Sequence, residues 1–348
     1  MSRTKLIKRL VRANVRKLKA YSSARDEYPG DSEGMIFMDA NENPFNTGLN
    51  RYPDPFQRKV KKELSAIKHI SAEQIFLGNG SDEVLDLLFR AFCEPGIDNC
   101  ITLPPTYGMY AVLAGLNDIE NREVILDATF QPDTERILKV QDERSKLLFF
   151  CSPNNPTGNT MNSPEIERML NDFNGLVVID EAYIDFSEKE SWIKRINDHP
   201  NLVVVQTFSK AYGLAGIRLG VCYASSEIIK ILNTIKPPYN VNELTQGKAF
   251  QAITEYKNIK DTIDRLNDEK SRLYKALLEV DLIKKIYHSD ANFLLIEVDD
   301  ATRRYKELIS KGFVVRNRSN QPLCKNTLRI TVGTTEENTA LIETLKTL

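Results

Sequence analysis

Histidine is scarce. His69, His199 and His288 are the only three in the chain and lie too far apart in sequence to suggest a histidine metal site. The five cysteines, Cys93, Cys100, Cys151, Cys222 and Cys324, are odd in number and include no CxxC pair. That argues against a disulfide framework or a zinc knuckle and points to a reducing, cytoplasmic compartment. No apolar run approaches the roughly 20 residues that span a bilayer, so no membrane partner is expected. A formal net charge of −1 gives no reason to expect nucleic acid. Internal repeats and low-complexity tracts are absent as well. With metal sites and disulfides set aside, any chemistry falls to an organic cofactor.

What is present is an ordinary globular composition, 41% hydrophobic and 27% charged. At 348 residues the chain is too long for one small core, and two domains are the expectation. Residues 1–25 carry no acidic side chain, while arginines and lysines crowd them. Ile7, Leu10, Val11 and Leu18 sketch an apolar stripe there. The stripe suits either an Arg-rich targeting peptide or a basic amphipathic helix packed on a partner surface.

The stretch 202–220, LVVVQTFSKAYGLAGIRLG, organises the rest. Its β-branched start reads as a buried strand, and Lys210 follows a polar turn at its carboxyl end. Open α/β sheets place their ligands at that end. The hydroxyls of Thr207 and Ser209 and the guanidinium of Arg218 suit an anionic group such as a phosphate. A solvated surface lysine after a strand is the plain alternative.

Four further segments share this pattern of strand followed by polar turn. Strand 75–77 runs into Gly78-Asn79-Gly80-Ser81-Asp82, which opens a helix. Free amides at a helix start favour a phosphate, although Ser81 or Asp82 could equally cap the helix. There the Asp82 amide, not its carboxylate, is the candidate contact. Strand 99–103 leads to Pro104-Pro105-Thr106-Tyr107-Gly108, which sets Tyr107 on a stiff turn where its ring could stack on a heterocycle or simply pack. Strand 147–151 precedes NNPTG, a specific signal that contains Asn155. Strand 176–179 ends in Asp180-Glu181-Ala182-Tyr183, two carboxylates that are costly to bury unless something positive meets them. Read plainly, Asp180 is a helix cap. Upstream, Tyr52 stands in the rigid turn Arg51-Tyr52-Pro53, after a short strand expected within 36–45.

This alternation implies an α/β fold with a doubly wound, mainly parallel sheet. Beyond Pro237-Pro238 the pattern changes to a long helix carrying Ile259, Ile263, Leu266, Leu273 and Leu277 on one face. Strand 293–298, a helix near 301–311 and strands 313–316 and 327–332 follow, as expected of a smaller α+β domain. The expected division is an amino-terminal segment, 1–35, packing on the site or a partner subunit, a large cofactor domain, 36–245, and a small carboxyl-terminal domain, 246–348.

Asn155, Asp180, Tyr183, Lys210 and Arg218 come in the order and setting of the fold-type I pyridoxal-phosphate enzymes, whose aminotransferases the chain resembles. NPTG, Asp-x-x-Tyr after a strand, and Ser-Lys-x-x-x-Leu-x-Gly-x-Arg-x-Gly coincide. Within that superfamily the chain is similar to the histidinol-phosphate aminotransferase family nearly end to end. Asn14-Val15-Arg16, Arg51-Tyr52-Pro53, Pro104–Tyr110, Cys151–Gly158 and LRITVGT at 328–334 carry this likeness. Because the match begins inside the basic segment, that segment is expected to belong to the mature protein.

The resemblance implies pyridoxal 5′-phosphate as cofactor, held through its aldehyde by Lys210. Asp180 is implied to pair with the pyridine nitrogen, Tyr183 and Asn155 with the phenolic oxygen, and Tyr107 with the ring face. Ser81, the Asp82 main chain, Thr207, Ser209 and Arg218 are implied to hold the cofactor phosphate. Arg329 would clamp a substrate carboxylate, while Tyr21 and Arg316 would receive the substrate's own phosphate, with Asn155 also facing the substrate. Tyr52 would reach across a homodimer to the neighbouring cofactor. The implied reaction is transamination between L-histidinol phosphate and 2-oxoglutarate, with small amino-phosphate and 2-oxo-acid substrates. Aromatic amino-acid transamination and threonine-phosphate decarboxylation are the alternatives on the same scaffold.

Overall fold

The structure, a computed structural model, describes residues 3–19 and 35–348. Among them are eleven strands: β1 Ile75–Asn79, β2 Asn99–Thr102, β3 Glu120–Glu123, β4 Ser145–Cys151, β5 Leu176–Asp180, β6 Leu202–Thr207, β7 Leu219–Ala224, β8 Ile283–Ile286, β9 Phe293–Val298, β10 Arg316–Asn317 and β11 Thr327–Thr331. The first seven form one sheet in the order β1-β7-β6-β5-β4-β2-β3, and the last four a second sheet in the order β10-β11-β9-β8.

In the large sheet β2 through β6 pair in parallel, and β7 runs antiparallel to both β6 and β1. Strands β5 and β6 read as unbroken apolar runs because both of their faces are covered. Along β5, Leu176 and Val178 enter one core while Val177 and Ile179 enter the other. Along β6 the same alternation sends Val203 and Val205 one way and Leu202 and Val204 the other. Helices Ser81–Phe92, Met109–Leu116 and Ser226–Ile235 supply one covering layer.

The register brings the strand ends that matter into line. Cys151 lies opposite Asp180, and Asp180 opposite Val205. The turns after β4, β5 and β6 therefore open on a single edge. The antiparallel β7 brings Arg218 to that same edge, because Gly220 pairs with Thr207 on one side and with Gly78 on the other. A Cβ at Gly220 would collide with the Gly80 backbone, so this approach requires glycine.

The second sheet is antiparallel and covered by helices Ala301–Ser310 and Thr335–Lys346 around its own core. Helix Tyr256–Leu277 serves both units: Ile259 and Ile263 pack on the large-sheet core, Leu273 and Leu277 on the small one. Asp290 adds a tie, accepting from the Thr160 amide and hydroxyl at 3.1 and 2.9 Å. Helix Glu243–Thr254, which spans position 245, packs against helix Arg58–Lys68.

Three strands were not expected from sequence. β3 is a polar edge strand, ENRE, β8 reads IKKI, and β7 lies among glycines. Conversely, the strand expected within 36–45 does not form. Ile36 and Met38 are 86% and 91% exposed, and an extended segment without a neighbouring ladder is not a strand. The expected strand 313–316 is reduced to Arg316–Asn317. In the basic segment, helix Arg3–Leu10 buries Ile7 and Leu10, and Val11 and Val15 follow them into the core beside helix Ser226–Ile235. Leu18 stays exposed.

Candidate active site

At the common edge lies a cavity of about 480 Å³ whose walls include Ser81, Asp82, Tyr107, Asn155, Asp180, Tyr183, Thr207, Ser209, Lys210, Arg218, Arg316 and Arg329. These twelve were candidates on sequence grounds. Of the two other candidates, one is placed elsewhere and one is not described. Tyr52 sits apart, stacked on Tyr239 with ring centroids 4.4 Å from each other, and Tyr21 lies outside the described residues.

Asp180 closes the floor. Its carboxylate accepts the Tyr110 hydroxyl at 2.7 Å and the Ala182 amide at 3.1 Å. Burial pushes this carboxyl up to about 6, and the two donors keep it from rising further. Its neighbour Glu181 is directed away from the cavity, where it accepts Ser191 Oγ at 2.5 Å, the Trp192 amide at 2.7 Å and Gln206 Nε2 at 2.8 Å. Burial pushes Glu181 up to about 7. Hydroxyls and amides do most to offset this pair, the positive charges of Lys210 for Asp180 and Lys68 for Glu181 add to them, and neither residue caps a helix.

Lys210 Nζ lies 5.8 Å from the centre of the Tyr183 ring. Partial burial, then the charge of Arg329, lowers its ammonium from the ordinary lysine range. Asn155 is buried and accepts Arg329 Nη1 at 2.6 Å. The rest of its loop is stitched in place: Asn154 Nδ2 donates to Pro105 O and to Thr157 Oγ1, at 2.8 and 2.7 Å. That network explains why the loop needs so specific a sequence.

At the other end is a cradle for an anion. Helix Ser81–Phe92 begins at Gly80 with no side-chain cap, which leaves its first amides open to the cavity edge. Gly80 has φ +80°, and a Cβ there would strike the Arg218 guanidinium. Arg218 Nη1 donates to Ser209 Oγ at 3.4 Å, and its Nη2 is 3.7 Å from Asp82. Asp82 also accepts the Tyr107 hydroxyl at 3.1 Å, so its carboxylate is engaged beside the cradle.

Arg318 and Gln321 in the cavity wall, and Tyr110 buried behind Asp180, had no role assigned from sequence. Tyr110 is one helical turn past Tyr107, and the two rings meet edge-on at 5.6 Å. Arg318 and Gln321 come from the turn after β10. The alternation of a strand, which returns a side chain to the same side two positions after Arg316, was the available signal for Arg318.

This donor set fits pyridoxal phosphate. A buried carboxylate, an amine within reach of an aromatic wall, an Asn/Tyr pair and an amide-and-guanidinium cradle occupy one cavity of adequate size. Together, fold and site define an aminotransferase of the pyridoxal-phosphate type.

The comparisons agree with that class. The model of the family "Aminotransferase class I and II" matches residues 28–345, and the chain belongs to that family. More narrowly, it is 60% identical over 342 residues to a histidinol-phosphate aminotransferase of Christiangramia forsetii, covering 98% of each chain. It is 58% identical over 343 residues to one of Flavobacterium johnsoniae, again covering 98% of each. A solved histidinol-phosphate aminotransferase of Sinorhizobium meliloti, in complex with pyridoxal-5′-phosphate, shares the fold with TM-score 0.78 and 22% identity, covering 85% of this chain and 82% of that one.

Proposed function

We propose that the protein transfers an amino group between L-histidinol phosphate and 2-oxoglutarate, giving imidazole acetol phosphate and L-glutamate in histidine biosynthesis. The carrying observation is the pairing of near-full-length relatives of that name with a cavity that has two separate cationic ends. Arg218 and the open helix start form one end, and Arg316 and Arg329 the other. A doubly phosphorylated complex, cofactor plus substrate, needs two such ends.

Pyridoxal phosphate, when bound, supplies an aldehyde that condenses with amines and a ring that withdraws electrons from the substrate Cα. In this reading Lys210 is the attachment point; displaced by the substrate amine, its free Nζ would take the proton from the donor Cα in the first half of the cycle and deliver a proton to the Cα of the 2-oxo acid in the second. Asp180 holds a proton on the pyridine nitrogen, and Tyr110 fixes the carboxylate's orientation. Tyr183 and Asn155 hydrogen-bond the phenolic oxygen, and Tyr107 covers the ring face. Ser81, the Asp82 amide, Thr207, Ser209 and Arg218 bind the cofactor phosphate. Arg329 holds the carboxylate of glutamate, and Arg316, with Tyr21, holds the substrate phosphate.

We further propose a cytoplasmic homodimer. Ile36, Met38, Phe45, Leu49 and Leu244 are exposed near the half-exposed Tyr52, as befits a face covered by a second copy. In that dimer Tyr52 meets the partner's cofactor phosphate. Five buried, unpaired cysteines suit a reducing compartment.

Incubating the holoenzyme with histidinol phosphate and 2-oxoglutarate should produce glutamate without releasing carbon dioxide. Carbon dioxide release from threonine phosphate, or comparable turnover of phenylalanine and histidinol phosphate, would favour one of the alternatives instead.

A further inference from the structure

The turn between β10 and β11 carries more unpaired polarity than any structural role requires. Among the described residues, Arg318 Nε, Ser319 Oγ and Gln321 Oε1 are buried atoms without a hydrogen-bond partner, and Arg329 Nε, across the cavity wall, is a fourth. Each such group costs free energy unless a ligand or water completes it. The turn itself is firmly built. The Arg318 amide donates to Thr327 O at 2.9 Å, the Gln321 amide to Arg318 O at 2.9 Å and the Ser319 amide to Asn317 Oδ1 at 2.9 Å. Arg318 is thus presented by a fixed backbone.

Its electrostatic setting is unusual. Arg316 faces Arg329 directly across the β10–β11 ladder, and Arg318 lines the same cavity. Like charges opposed on a ladder destabilise it unless an anion lies between them. Among the described residues, the guanidiniums of Arg316 and Arg318 meet no carboxylate, and Asn155 is the side-chain acceptor for Arg329. Both Asp82 and Asp180, the carboxylates of the cavity, are engaged elsewhere. Partial burial and the neighbouring arginines lower the pKa of Arg318 and Arg329 alike, a strain that a bound anion would relieve.

We infer that Arg318 is a specificity-determining residue that works with Arg316 as a two-guanidinium clamp for a dianionic phosphate on the substrate. This rests on the reading that the substrate carries a phosphate. One guanidinium is enough for a carboxylate, whereas a phosphate offers three oxygens to two donor forks. Arg318 would therefore separate phosphorylated substrates from carboxylate-only ones such as glutamate and phenylalanine.

The test uses the cofactor-loaded protein, with inorganic phosphate as probe for direct binding and histidinol phosphate, glutamate and phenylalanine as amine donors. Arg318→Gln should weaken phosphate binding and raise the KM for histidinol phosphate by roughly ten- to a hundredfold. The KM for glutamate should change far less than that for histidinol phosphate, and the cofactor content and melting temperature should stay within about twofold and a few degrees of wild type. Arg318→Lys should restore part of the phosphate affinity, a rescue that a packing role would not give. Equal losses on all three donors, or unchanged phosphate binding in Arg318→Gln, would overturn the clamp. Wild-type protein that binds phosphate through Arg318 yet does not transaminate histidinol phosphate would keep the clamp and refute the proposed substrate.

Discussion

Asp180 shows how the site is tuned residue by residue. Its carboxyl is pushed up to about 6 by burial, and the Tyr110 hydroxyl opposes that push by favouring the charged form. Tyr110→Phe should therefore raise the carboxyl further. Apoprotein titrated with pyridoxal phosphate at a series of pH values would show uptake failing on the acid side, with the failure moved to higher pH in the variant. Asp180→Ala should lower kcat by roughly 10²–10⁴-fold while cofactor still binds through Lys210 and the cradle, read from absorbance and steady-state rates. Sequence made Lys210, Asp180 and Asn155 legible because each stands at the carboxyl end of a buried strand or in the turn after it, where plain packing does not demand it. Tyr110 and Arg318 escaped it. A tyrosine on an apolar helix reads as core, and an arginine in a polar turn reads as surface; only the fold shows the first bonded to Asp180 and the second in the cavity wall.

At the scale of elements, the carboxyl edge of the sheet sorts adjacent side chains. Asp180 opens on the cavity while Glu181, one residue on, is turned away into a nest of Ser191, Trp192 and Gln206. The Glu181 carboxyl, at about 7 in the fold against 4.5 ordinarily, binds its proton more tightly when folded. Its contribution is thus whole below pH 4.5 and is lost as pH rises through 7. Thermal unfolding between pH 5 and 8 should show the wild-type midpoint falling more than that of Glu181→Gln, by an amount on the order of 2 kcal/mol at the alkaline end. Parallel runs over midpoints would contradict this. The central strands were legible as apolar runs. Strands β3 and β8 were not, because edge strands with one open face can be largely polar, and β7 was masked by the glycines that let it pass close to Gly80. The strand expected within 36–45 failed for the opposite reason: an apolar stretch with no ladder beside it stays extended and exposed.

For the molecule as a whole, the two sheets share one long helix, and the cavity is walled on one side by the strand ends of the large sheet and on the other by β10, β11 and the turn between them. The proposed dimer adds the last part. Tyr52→Phe should leave the dimer intact by size-exclusion chromatography and weaken cofactor affinity by roughly tenfold, as expected for one lost hydrogen bond to a phosphate. The order of units along the chain could be read from the change in pattern after Pro237-Pro238, since alternating strands and helices give way to one long amphipathic helix. How the units meet could not, because that depends on contacts such as Thr160 with Asp290 between residues 130 positions apart.

The central claim is that the Lys210 amine carries the cofactor aldehyde. Borohydride reduction of the holoenzyme followed by peptide mapping tests it most directly. The account predicts a single pyridoxyl-modified peptide with the modification on Lys210; modification of a different lysine, or protein that takes up no pyridoxal phosphate at all, would contradict it.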